Sequence, residues 1–556
     1  MSYINESVIY NIYPLGFCGA PKENDGKLVY RLDKIYDCID HLKEMSVNTI
    51  VFNPLFESSR HGYDTIDYKK VDCRLGDNDS FKKICDTLHE NGIRIILDGV
   101  FNHVGRDFFA FKDLQKNLSN SRYCSWFENL RFDSWSPKGD PFRYEGWAGY
   151  YDLVKLDLHN DDVVNYLLDA VKFWIEEFDI DGLRLDAADC IDLSFFKKLR
   201  SLCKGLKPDF WLYGEIVHGD YNRWANSDML DSVTNYECYK GIYSSHNDHN
   251  YFEIAHSLNR QFANGGVYQN IYTYNFVDNH DVNRVASMLK DKKHLFNVYS
   301  LLYTMPGVPS VYYGSEYGIE GKRSQFSDYE LRPCLDLNNV ENANYELFEH
   351  IKKLGKIRLS LDALKYGKFE NVRIMNESLV YKRQSDNQTV FVVLNLADKT
   401  EKIGFDTGYN SKLTDVLNDN EVIDVNGYYE IEMKPYSSRI LIVNDGSFKI
   451  DFDEVCETKS VSAETQKAEA DNEAAVIAEE EKIEPLSSVQ KGRYRHFKGT
   501  EYEVITVAKH SETGEKLVIY TSVDNEPKVW ARPYDMFTDV VEYNGHKMLR
   551  FTPLSC

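Results

Sequence analysis

Arg184 and Asp186 stand two residues apart in the string GLRLDAAD at 182–189, at the end of the apolar run DIDGLRLD. In a β-strand that spacing points both side chains to the same face. A carboxylate beside a guanidinium stays ionised at neutral pH, so Asp186 can serve as a nucleophile or as a buried structural anion. Three further apolar runs end in the same manner: GIRIILDGVFNHVG at 92–105, DFWLYGEIVHG at 209–219 and NIYTYNFVDNHD at 270–281. They deliver Asp98, Glu215, Asp278 and Asp281, with His103 and His280 close by in sequence. Acids collected at one place suit glycosidic bond cleavage, in which one carboxylic acid protonates the leaving oxygen and a second carboxylate attacks or guides water. A divalent ion held by Asp98, His103, Asp186, Glu215 and His280 is the competing chemistry. Arg184 counts against it, because a guanidinium repels a cation.

Such residues need a scaffold that brings strand ends together. Strand patterns at 8–14, 47–54, 92–98, 182–186, 209–215, 231–236, 270–278 and 308–313 alternate with helical patterns at 33–46, 79–92, 161–178, 194–204, 249–264, 291–304 and 343–357. Asp79 or Ser80 is the expected N-cap of the second helix and Gly92 its stop. Alternation of this kind predicts an α/β fold, a (β/α)8 TIM barrel whose site lies where the strands end. The alternation breaks between about 105 and 159, a long aromatic excursion that leaves from a strand end and is predicted to cover the barrel mouth.

The layout therefore reads as a catalytic barrel over 1–364, with an inserted domain at about 105–159. From 365 to 450 the pattern has period two, which predicts an antiparallel β-sandwich. An Ala- and Glu-rich acidic stretch over 451–489 reads as a flexible linker. Residues 490–556 carry short aromatic strands and predict a small β-barrel-like domain.

Net charge is −23, which argues against a nucleic-acid partner, since phosphate binding requires Lys and Arg clusters. There is no basic and apolar leader at the N-terminus and no apolar run long enough for a membrane span, so no membrane association is expected. The 11 cysteines form no C-x-x-C pair, a pattern that fits free thiols in a reducing cytoplasm.

Four blocks, DGVFNHVG at 98–105, GLRLDAAD at 182–189, GEIV at 214–217 and FVDNHD at 276–281, resemble in order the signature regions of the α-amylase superfamily of glycoside hydrolases. HGYDTIDY at 61–68 and VPSVYYGSE at 308–316 look like two further landmarks, and the resemblance spans roughly 5–450. It implies a retaining mechanism on α-1,4 bonds of maltodextrins or related α-glucan oligosaccharides. Asp186 would be the nucleophile, Glu215 the general acid and then base, and Asp281 the acid that steadies the distorted sugar. Arg184 would orient Asp186, His103 and His280 would bond the reacting sugar, and Tyr63 would stack on it. Asp328 and Arg332 look like the family pair at the next sugar, while Asp98 is expected to be structural, tying the third strand to Arg184 or to neighbouring backbone. Trp147, Tyr150 and Tyr151 either line the donor side of the groove or pack the excursion onto the barrel.

Departures matter too. Many family members bind calcium through the Asn of the first block, a residue of the excursion and a His four after the nucleophile. Asn102 is present, but the His position is Cys190, and a thiol is a poor calcium ligand, so no metal and no cofactor is expected. GEIVHGDYNRW and TNYECYKGIY are similar to the neopullulanase, cyclomaltodextrinase and maltogenic amylase branch, although that branch favours Trp where Val217 stands and carries an N-terminal β-domain. The tail resembles a small uncharacterised bacterial domain through YRHFKGTEYEVI, HSETGE and VWARPYDMF. Its Tyr494, Tyr502, Trp530 and Tyr534 form either a core or a glucan-binding platform. Two rival readings of the whole chain stay open: a transglycosylase or glucoside phosphorylase in the same fold, and an inactive carbohydrate-binding homologue.

Overall fold

In the computed structural model, residues 3–324, 327–452, 489–496, 501–509, 516–522, 529–543 and 546–554 are described. The expected acidic linker lies outside them for nearly all of its length, as does HSETGE at 510–515. The chain divides into two compact units, Met1–Thr458 and Lys459–Cys556.

Eight parallel strands close a barrel in the first unit: β1 (Ile9–Ile12), β2 (Thr49–Phe52), β3 (Arg94–Gly99), β4 (Gly182–Leu185), β5 (Trp211–Gly214), β6 (Ser232–Thr234), β7 (Tyr272–Asn275) and β8 (Val308–Tyr312). Each pairs with its sequence neighbour and β8 returns to β1. The strands of the site are buried throughout, as a parallel sheet covered on both faces demands. All eight expected strands are present. In register, Asp98 pairs with Arg184 and Tyr213 pairs with Arg184 from the other side. The site acids are thus delivered by adjacent strands at one end of the barrel.

Local differences have clear causes. The helix after β2 spans Asn78–Glu90 and is capped by Asp77, whose side chain accepts from Ser80 N at 2.8 Å, while the Ser80 hydroxyl accepts from Asp77 N at 3.0 Å. This reciprocal box moves the cap two residues ahead of the expected Asp79. After β6 the chain forms two helices, Tyr236–Asn247 and Tyr251–Phe262, not the single helix the periodicity predicts over 249–264. Asn235 ends the strand early because its side chain caps Cys238 N at 3.1 Å.

The excursion is not irregular. His103–Gly105, Gly146–Trp147 and Tyr150–Lys155 form a three-stranded antiparallel sheet, joined by the helix Phe109–Asn117. Phe111, Phe127, Phe142 and Tyr144 pack edge to face beneath it.

Residues 368–444 form one six-stranded antiparallel sheet. Its long hairpin, Glu401–Asp415 with Glu421–Met433, folds Ile403, Phe405, Val425 and Met433 over Val380, Phe391, Val393 and Leu441, so a single continuous sheet supplies both layers of the expected sandwich. Its other face, with Leu379, Tyr381, Val392 and Ile440, joins the barrel's core. Arg358 and Arg383, both buried, bind carbonyls where the helix Leu295–Thr304 turns into β8: Gly307 O at 2.6 Å and Thr304 O at 2.7 Å.

In the second unit, five antiparallel strands run in the order Val529–Pro533, Lys516–Ser522, Glu501–Lys509, Gly492–His496 and Phe551–Pro553. Among the described residues these strands stand as one five-stranded sheet, with Val540–Tyr543 and His546–Leu549 as a separate two-stranded one. Tyr494, Val504, Val518, Tyr520, Phe537 and Phe551 make its core.

Candidate functional site

Arg184 is the hub of the barrel mouth. Its Nη1 lies 2.6 Å from Asp98 Oδ2 and 3.1 Å from Asp186 Oδ1, and its Nη2 lies 2.7 Å from Glu215 Oε2. One guanidinium thus meets carboxylates from three adjacent strands, all nearly buried. Its five-donor fork suits this better than a lysine would. Asp98 also accepts from Asn53 at 3.2 Å and from the Tyr63 hydroxyl at 3.2 Å. Its expected anchoring role therefore matches its contacts.

Around this hub the charges do not balance. Burial pushes the Asp186 carboxyl well above the usual range; Arg184 opposes this, and Glu215, Asp98 and Asp281 add to the rise. Burial likewise raises Asp98 against the pull of Arg184. Both Asp98 and Asp186 thus lean toward their protonated forms, so the guanidinium beside Asp186 does not offset its burial as the two-residue spacing suggests.

Asp281 sits in a different field. Burial alone would raise it, but His280 and then Arg332 hold it well below the usual carboxylate range. His280 Nε2 is 2.8 Å from Asp281 Oδ2, and Arg332 Nη2 is 2.9 Å from Oδ1. Arg332 also reaches Asp328 at 3.3 Å, so the expected pair forms and closes onto the third acid. The His280 ring lies between Tyr63, with centroids 5.6 Å apart, and Tyr13, at 6.1 Å, and both pairs are stacked. Tyr63 additionally hydrogen-bonds His280 Nε2 through its hydroxyl.

His103 is buried, and burial lowers its pKa to about 3, so the ring is neutral at neutral pH. His103 Nε2 and His280 Nδ1 have no hydrogen-bond partner among the described residues. Buried ring nitrogens of this kind suit hydroxyls arriving on a ligand. Gly105 is needed beside His103, because a Cβ there would stand 2.4 Å from the Asp64 carbonyl oxygen. Trp147 stands over His103 at 5.5 Å, with the exposed Tyr150 stacked on it at 6.3 Å, whereas Tyr151 turns edge-on to the packed Tyr144. The three excursion aromatics therefore divide, two toward the mouth and one into the packing.

Not every strand-end acid belongs here. Asp278 is buried away from Arg184, accepting from Val285 N at 2.8 Å and Ser315 Oγ at 2.9 Å. The sequence reading also missed a residue. The Tyr236 hydroxyl donates to Glu215 Oε1 at 3.2 Å and accepts from Asn279 at 3.3 Å. Tyr236 stands in TNYECYKGIY, the stretch similar to the neopullulanase branch, but nothing in that pattern pointed to a contact with Glu215. A cavity of about 530 Å³ opens beside Tyr236, lined also by Val217, Tyr239, Lys240, Tyr243 and Glu253.

The family's calcium ligands do not form a fitting set. Asn102 Oδ1 is buried without a hydrogen-bond partner, but its small cavity is shared with the Cys190 thiol and with the Lys155 ammonium. A soft sulfur and a resident positive charge both oppose a hard divalent ion. Elsewhere, Glu57, Asp72 and Cys73 bring ligand atoms together, but Arg74 binds Asp72 at 2.7 Å and Lys70 binds Glu57 at 3.3 Å.

Comparison with known proteins agrees with this geometry. The family described as alpha amylase, catalytic domain, matches residues 11–343, and the maltogenic amylase C-terminal domain matches 369–440. A family of unknown function, DUF1653, matches 492–553. The chain is 33% identical over 423 residues to a cyclomaltodextrinase of Thermoanaerobacter pseudethanolicus, covering 72% of each. It is 34% identical over 331 residues to an intracellular maltogenic amylase of Bacillus subtilis, covering 59% of this chain and 54% of that one. A solved cyclomaltodextrinase structure superposes with a TM-score of 0.72 at 26% identity, over 80% of this chain and 78% of that one. With the catalytic-domain match spanning more than half of the chain and carrying the whole barrel mouth, the protein belongs to the α-amylase family of glycoside hydrolases.

Proposed function

We propose that the protein is a retaining hydrolase of α-1,4-glucosidic bonds in maltodextrins and related oligosaccharides. The observation that carries this reading is the shared guanidinium: Asp186 and Glu215 both bind Arg184, which keeps the two carboxyls near one another, as a retaining pair requires. An Asp186 oxygen attacks the anomeric carbon while Glu215 gives its proton to the departing glycosidic oxygen. Glu215 then removes a proton from the water that attacks the same carbon and frees Asp186. Asp281, held ionised by His280 and Arg332, faces the positive charge that builds on the ring. His103, His280 and Tyr63 hold the reacting sugar, with Asp328 and Arg332 at the next one.

The cavity beside Tyr236 favours transglycosylation as a second activity. It begins next to the acid and offers tyrosine faces and polar groups to a sugar acceptor. A product time course on maltoheptaose separates the two. Hydrolysis yields shorter chains with rising reducing ends, and transfer yields chains longer than the substrate. No product of either kind would overturn the reading.

Among the described residues no helix is long and apolar enough to cross a membrane, and the described cysteines are free thiols. We place the protein in the cytoplasm on the cysteine pattern and on the likeness to a relative named intracellular. For the tail, Tyr494 is core and Tyr502 and Tyr534 are half-buried against it, which leaves Trp530 as the glucan-facing candidate: it is 38% exposed and stacks on Tyr520 at 5.9 Å. In native gels containing glycogen, Trp530→Ala in the full chain with Asp186→Asn as background should lose part of its retardation. Unchanged retardation would remove the tail from substrate contact.

A further inference from the structure

The seam between the first signature block and the excursion is where many members of the resembled family bind calcium, and the residues on it do not fit that ion. We propose that Lys155 is the resident cation of this seam, an ammonium built into the chain that holds the excursion where a bound metal would otherwise do so.

Three segments of the excursion meet at one point. Glu128 N donates to Lys155 O at 3.2 Å, Lys155 N to Glu145 O at 2.9 Å, and Glu145 N to Glu128 O at 3.0 Å, which closes a ring of backbone bonds. Side chains repeat the connection. Lys155 Nζ lies 3.1 Å from Glu128 Oε2 and 3.2 Å from Glu145 Oε1. The ammonium thus bridges two carboxylates that the fold brings together, offsetting one of their two charges in the place where a divalent ion would offset both. Burial opposes its charge, but Glu128 and Glu145 more than offset this and raise its pKa.

This knot adjoins the site. Lys155 is the register partner of His103, and Leu156 N donates to Asn102 O at 3.0 Å. Asn102, Glu128, Lys155 and Cys190 surround one cavity of about 170 Å³. A divalent ion entering there would face the ammonium and compete with it for Glu128. Trp147, the aromatic standing over His103, lies in the same three-stranded sheet as Lys155, with Gly146 in register with Val154, so it is carried by the same seam. Lys155 is therefore a positioning residue. It touches no reacting group, and acts by keeping His103 and Trp147 in place.

The test uses the full chain and two readouts. The thermal unfolding midpoint of the wild type should not respond to calcium chloride or to EDTA. Lys155→Met should lower the midpoint and raise KM for maltoheptaose about tenfold, the scale on which residues behind a ligand-contacting shell act, with a smaller change in kcat. Lys155→Arg should recover most of both. Lys155→Asp exchanges the ammonium for a hard oxygen beside Asn102 and Glu128, and its midpoint should rise with calcium but not with magnesium. A wild-type midpoint that rises with calcium, and stops doing so in Asn102→Ala, would overturn the proposal. So would a Lys155→Met chain of unchanged midpoint and KM, or a Lys155→Asp chain indifferent to calcium. The kinetic arm rests on the glucan-hydrolase reading and the thermal arm does not, so the two can fail separately.

Discussion

Asp186→Asn should lower kcat on maltoheptaose by on the order of 10⁴-fold or more, while the chain still folds and still binds the sugar. The amide is nearly isosteric but cannot attack the anomeric carbon. Asp186 is nearly buried and its nearest partner is Arg184 Nη1 at 3.1 Å, a contact the amide oxygen can keep. The unfolding midpoint should therefore move little, which separates loss of chemistry from loss of fold. Glu215→Gln makes a useful companion. It removes the proton donor but leaves the nucleophile, so substrates whose leaving group needs no protonation should recover much of the first step. Natural maltodextrins should not, because their leaving alkoxide requires the acid. Residual turnover within tenfold of wild type in Asp186→Asn, measured as reducing ends released, would mean that another group forms the glycosyl bond.

Arg184→Met should be the most costly single change for stability at the mouth, by about 3–5 kcal/mol, the range for breaking a buried ion pair. It strips the one cation shared by Asp98, Asp186 and Glu215. The sign of its pH dependence follows from the raised carboxyls. Asp98 and Asp186 hold protons more tightly in the folded chain than in the unfolded one. Their contribution to stability is therefore fully present below the unfolded value, near about 3.9, and is lost as pH rises through the folded values. Without Arg184 those folded values climb further, so the loss continues to higher pH. The deficit of the variant in urea unfolding should accordingly be larger near about pH 8 than near about pH 5. Its kcat/KM profile should lose the acid side first, because Asp186 ionises later. A deficit independent of pH would show that the guanidinium acts by packing alone.

The seam at Lys155 and the cavity at Tyr236 share a history in the sequence. Both lie where the alternation of strands and helices gives no period to follow. The excursion looked irregular because its strands are two to six residues long, too short to display an alternating pattern. Its core is aromatic residues meeting edge to face from positions far apart in sequence, and no local window contains them together. The helix Tyr236–Asn247 was lost for a different reason. Its apolar stripe is weak, as only Cys238, Gly241 and Ile242 among its smaller residues are buried with Ser245 and His246. Periodicity cannot mark a helix whose inner face is so polar.

The tail shows the same limit from the other side. Its short aromatic runs were legible as strands, while their order in the sheet depends on register between strands, which composition does not carry. In the 368–444 sheet, likewise, the period-two pattern located the strands, while only the bent hairpin decided that one sheet would make two layers.

What the sequence by itself determined was the set of groups and the scaffold that delivers them. Apolar runs of strand length, each stopping at Asp98, Asp186, Glu215 or beside Asp281, suffice to name a barrel and its mouth, because burial on both faces forces such runs to be continuous and polar groups to collect at their ends. Which of those groups share a charge was decided only by the tertiary structure. Asp278 and Asp281 are three residues apart, yet one anchors Ser315 and the other meets His280 and Arg332. Register between neighbouring strands put three acids on Arg184, and the fold of the excursion put Lys155 between two glutamates. Electrostatic partnership is set by distances of a few ångströms between segments remote in sequence, and those distances exist only once the chain has closed.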